Sequence, residues 1–66
     1  MNFSNELCNL MKSLNVTQTA LAKQLGTTQQ TVSRWLKGIN QPDFEMLFEI
    51  CKILDTTPNE ILGWED

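Results

Sequence analysis

The sequence contains no histidine. That absence removes the commonest general base and the commonest partner of an activated nucleophile. Its two cysteines, Cys8 and Cys51, stand far apart with no CxxC pair. A zinc site takes about four Cys or His ligands, which two thiols alone do not supply. No metal, no cofactor and no enzymatic activity are therefore expected. Cys8 and Cys51 are read as buried free thiols, with a redox role as the alternative. Long hydrophobic runs are also missing, since nothing approaches the ~20 apolar residues that span a bilayer. The start, MNFSNELCNL, has neither the basic nor the apolar stretch of a signal peptide. No membrane association and a cytoplasmic location are the expectation.

What is present is enough for one small folded unit. Sixty-six residues with a hydrophobic share of 41% make a single domain over 1–66, near the lower limit of what folds without a staple. No repeat, linker or strand-like alternation occurs, and five helical segments can be read. The first runs from about Ser4 to Ser13, with Leu7, Leu10, Met11 and Leu14 spaced along one face. The second begins at Thr17, a good N-cap, with Val16 and Leu21 spaced as a hydrophobic staple, and ends at Gly26. Thr28 caps the third helix, Gln29 to Lys37, which stops at Gly38. Pro42 and Asp43 open the fourth, whose inward stripe is Leu47, Ile50, Cys51 and Leu54. Thr57-Pro58-Asn59-Glu60 is a capping box that opens a short fifth helix carrying Ile61 and Leu62. The expected fold is a compact all-α bundle of five helices.

Charge is divided along the chain. Residues 1–40 carry Lys12, Lys23, Arg34 and Lys37 against Glu6, whereas residues 41–66 carry seven acidic residues against Lys52. The net −3 thus conceals a basic first part and an acidic remainder, which suits one surface turned toward DNA and another turned away. Four basic residues give little phosphate-driven affinity, so a second subunit would help.

Residues 17–38 hold the informative constellation. Leu21 and Leu25 face inward from the second helix, and Val32 and Trp35 from the third. Ala22 sits where the two helices cross closely, and Gly26 occupies the turn between them. The third helix then presents Gln29, Gln30, Ser33 and Arg34, all able to hydrogen-bond a base edge and none a plausible catalyst here. A helix pair offering such a row reads DNA sequence.

In this spacing the chain resembles the lambda-repressor/Cro-type (XRE) helix-turn-helix family over nearly its whole length. The QxxLAxxLG element is present as Gln18, Leu21, Ala22, Leu25 and Gly26. The later P…L…LD/G element is present as Pro42, Leu47, Leu54 and Asp55, and GTTQQ, Gly26 to Gln30, is similar to lambdoid phage repressors. Thr27 departs from the apolar residue usual at its place. The resemblance implies base contacts by Gln29, Gln30, Ser33 and Arg34, with the third helix in the major groove. Gln18 would clamp a phosphate and brace that helix, and Thr28, Lys37, Asn40 and Gln41 are further candidates for the DNA backbone. Many relatives pair a buried Arg with Glu at the positions of Met11 and Leu36. Both are apolar here, so the two side chains are expected to meet in the core.

The function this implies is a transcriptional regulator, a repressor from a bacterium, phage or mobile element, binding a palindromic operator in double-stranded DNA as a homodimer. The alternative is an antitoxin or adaptor that binds a protein partner through acidic residues 41–66, with DNA autoregulation secondary. Trp35 is read as core support. Phe44, Phe48 and Trp64 are ambiguous. Ile61 and Trp64 are candidates for the dimer interface or, alternatively, for covering the bottom of the monomer core.

Overall fold

In the computed structural model, which describes residues 3–63, α1 spans Phe3–Leu14 and buries Phe3, Leu7 and Met11 along one stripe. It begins one residue earlier and ends one later than the sequence pattern suggests, because Phe3 is itself a core side chain. Leu14, at the other end of the stripe, is 47% exposed, as the last turn of the helix has fewer neighbours to cover it. Helices α2 (Gln18–Leu25) and α3 (Gln29–Lys37) follow, then α4 (Phe44–Leu54) and α5 (Pro58–Leu62). No strand occurs among the described residues.

Each start after the first is fixed by a side-chain cap that satisfies an otherwise orphaned backbone N–H. The hydroxyl of Thr17 accepts from the amide of Ala20 at 3.1 Å, and that of Thr28 from the amide of Thr31 at 3.2 Å. Asp43 Oδ1 accepts from the amide of Met46 at 2.8 Å, so Pro42 lies just outside α4 rather than in its first turn. Thr57 caps α5 by accepting from the amide of Glu60, whose carboxylate receives the Thr57 hydroxyl at 3.2 Å.

The ends share one geometry. The residue after each helix adopts a left-handed backbone, at Asn15, Gly26, Gly38, Asp55 and Gly63, as helices commonly end. Asn and Asp tolerate that region better than other side chains do, which explains two stops that carry no glycine. At Gly26, φ is 72° and a Cβ would meet nothing within 4 Å, so backbone conformation and not space favours glycine there.

The core is one continuous cluster in which Leu7, Leu21, Val32, Ile50, Leu54 and Ile61 are the most fully enclosed. Helix α3 packs on α2 and α1, whereas α4 packs on α1, α2 and α5. Ala22 and Trp35 are buried at these junctions, as expected. Met11 is buried in this cluster and Leu36 packs half-buried against it. Cys51 is buried and Cys8 is half-buried; both are free thiols. Burial pushes the Cys51 thiol up from its ordinary pKa, because desolvation disfavours the thiolate that redox chemistry requires.

Ile61 corrects one expectation. It is 0% exposed, held in the interior of a single chain, and offers no surface to a second copy. Trp64, the other interface candidate, lies outside the described residues.

Candidate nucleic-acid interface

The amphipathic pattern of α3 fixes which side faces out. At about 100° per residue, Val32 and Trp35 fall on one side and are buried. Gln30, Arg34 and Lys37 fall opposite and are exposed, with Ser33 half-buried beside them. Gln29, also exposed, stands at the margin nearest α2. Arg34 has no ion-pair partner among the described residues, so its five guanidinium donors are uncommitted.

Gln29 and Gln18 meet. The side-chain amide of Gln29 donates to Gln18 Oε1 at 3.2 Å, bridging the first residue of α3 to the first residue of α2. This bond reaches Gln29 from outside its own helix, across the turn between α2 and α3. Thr28 is exposed at the entry to α3 with its hydroxyl 3.0 Å from that of Thr31. The N-termini of α2 and α3 carry the positive ends of the helix dipoles, which favour anions. Lys37 closes α3, while Asn40 and Gln41 are exposed in the segment leading to α4.

A further residue positions this surface and carries no signal in the local sequence. The Ser4 hydroxyl on α1 donates to the backbone carbonyl of Trp35 at 2.7 Å, tying the C-terminal turn of α3 to the start of α1. That carbonyl also receives the amide of Gly38 at 3.1 Å, so removing Ser4 Oγ does not strand it. Ser4→Ala should therefore cost only about 0.5–1 kcal/mol, the lower part of the range for a net hydrogen bond, as read by chemical denaturation. A loss above about 2 kcal/mol would show that the hydroxyl does more than this one bond.

Comparison with known proteins agrees with the geometry. The helix-turn-helix family profile matches residues 9–61. The chain belongs to the XRE-type helix-turn-helix family. This XRE-type domain is 35% identical over all 66 residues to the HTH-type transcriptional activator BcrR of Enterococcus faecalis. It is 41% identical over 56 residues to the HTH-type transcriptional regulator DicA of Escherichia coli, covering 83% of this chain. The chain spans 32% of the length of BcrR and 42% of DicA. Both relatives are transcription regulators.

Two solved structures share the fold. A transcriptional regulator from Listeria innocua superposes with a TM-score of 0.91 at 23% identity, over 98% of this chain and 61% of that one. The DNA-binding domain of the P22 c2 repressor superposes at 0.87 with 24% identity, over 92% of this chain and 80% of the other. Among the described residues no helix is long and apolar enough to cross a membrane.

Proposed function

We propose that this domain is a sequence-specific transcriptional repressor that binds a palindromic operator as a homodimer, with α3 in the major groove of each half-site. The observation that carries the reading is the outward row of α3. Gln30, Ser33 and Arg34 face away from a helix locked in place by Val32 and Trp35, while Gln18 orients Gln29. Gln pairs bidentately with adenine and Arg with guanine, while Ser serves several bases. Gln18, Thr28, Lys37, Asn40 and Gln41 flank the row as phosphate contacts that set register. Repression needs no further apparatus, because a protein seated on an operator that overlaps a promoter excludes polymerase.

Two-fold symmetry supplies what one chain lacks. Lys12, Lys23, Arg34 and Lys37 become about eight cations in a dimer, so log affinity should fall against log salt with a slope shallower than about −7. A measured slope near −10 would contradict readout by direct base contacts on sparse charge. Trp64 is the proposed interface residue, beyond the end of α5.

Selection of bound duplexes from a random pool tests the whole reading. The expected product is an inverted repeat with half-site centres about one helical turn apart, ~34 Å. A single unrepeated site, or no enrichment, would refute the homodimeric operator.

A further inference from the structure

Helix α4 carries a second outward face that the DNA-binding reading does not use. Phe44 is 78% and Phe48 52% exposed, and they stand one turn apart on the same side of the helix. Next to Phe48 a groove of ≈ 440 Å³ opens between α2 and α4, with apolar walls from Leu25 and Met46 and a rim of Asp43, Glu45 and Glu49. Lys52 also borders it but lies 3.5 Å from Glu49 in an exposed pair, so the rim is acidic on balance. A solvated helix face needs no exposed phenylalanines, and grouped exposed apolar side chains rimmed by charge mark a contact surface.

Charge decides the occupant. In a symmetric contact the same patch faces itself, which would set these carboxylates against their own copies. DNA phosphates would be repelled for the same reason. The basic surface of another copy is α3 and its flanks, which this reading reserves for DNA. We infer that the outer face of α4 is a docking site for a basic segment of another protein, with an apolar side chain seated beside Phe48 and Lys or Arg residues meeting Asp43, Glu45 and Glu49. Among the described residues α4 packs on α1, α2 and α5 and not on α3, so this face is built on a different helix from the outward row of α3. The exclusion of another copy as occupant rests on the proposed DNA-binding function, whereas the exposed phenylalanines and the acidic rim do not depend on it.

The test pans a displayed random dodecapeptide library on the full chain, with counter-selection on the double variant Phe44→Ser/Phe48→Ser. Both side chains are exposed, so the variant should keep its fold and its melting temperature confirms this. Enriched peptides should combine Lys or Arg with one or two Leu, Phe or Trp. Their affinity should fall about tenfold or more in the double variant and comparably in Glu45→Lys/Glu49→Lys. DNA affinity of Phe44→Ser/Phe48→Ser should be unchanged, which separates failure of this inference from failure of the operator reading. No enrichment, enrichment of acidic peptides, or equal binding to wild type and variant would overturn it. So would dissociation of a homodimer by Phe44→Ser/Phe48→Ser in sedimentation, which would make this face a self-interface.

Discussion

Arg34→Ala should weaken binding to the selected operator by roughly tenfold to a hundredfold per half-site, about 1–3 kcal/mol, and relax preference at one base pair of each half-site. Because a homodimer loses the contact twice, the effect on the whole operator should approach the sum of two such losses. The fold should be untouched, since Arg34 is exposed and has no ion-pair partner among the described residues. Lysine should not rescue, as it lacks the planar fork that grips guanine bidentately. Titrations against the operator and single-substitution variants check this. A uniform loss on all sequences, rescued by Arg34→Lys, would demote Arg34 to a phosphate contact.

The second large effect concerns stability. Leu21 is fully buried on α2, and the outward presentation of α3 depends on the core it joins. Leu→Ala at such a site costs about 2–5 kcal/mol in lost transfer energy and residual cavity. A domain of this size is stable by only about 3–10 kcal/mol. Leu21→Ala should therefore lower Tm by roughly 10–30 °C and leave a substantial unfolded fraction, with DNA binding lost in proportion. Leu14→Ala, on a half-exposed side chain at the end of α1, should cost under about 1 kcal/mol. Circular dichroism melts compare the two. A Leu21→Ala shift below about 5 °C would mean the interior collapses to fill the space.

The best-read part of this chain is the part whose instructions are local. Thr17, Thr28 and Thr57 act as caps within three residues of the amides they serve, and Gly26 and Gly38 mark two stops by backbone freedom alone. Helices α2 and α3 were thus legible to the residue, together with the inward placing of Val32 and Trp35 that turns the site outward. What escaped depends on distant partners. The bond from Ser4 to the Trp35 carbonyl joins residues 31 apart, and nothing near Ser4 announces it. Leu14 matches the stripe of α1 but lies half exposed in its last turn. Ile61 was open to either an interface or the monomer core because so small a bundle cannot bury every large side chain; in space the core encloses it. The inward stripe of α4 was legible as Leu47, Ile50, Cys51 and Leu54, but whether another element covers Phe44 and Phe48 depends on distant packing, which leaves both exposed.

The central claim is that the outer surface of α3 enters the major groove, and methylation interference on the selected operator tests it most directly. Methyl groups at guanine N7 project into the major groove, whereas those at adenine N3 project into the minor groove. Modification of guanine N7 within each half-site should block binding, with the effect at one guanine lost in Arg34→Ala, and adenine N3 modification at the half-site centres should be tolerated. Interference confined to adenine N3, or none at guanine N7 in an operator that contains guanines in both half-sites, would contradict the account.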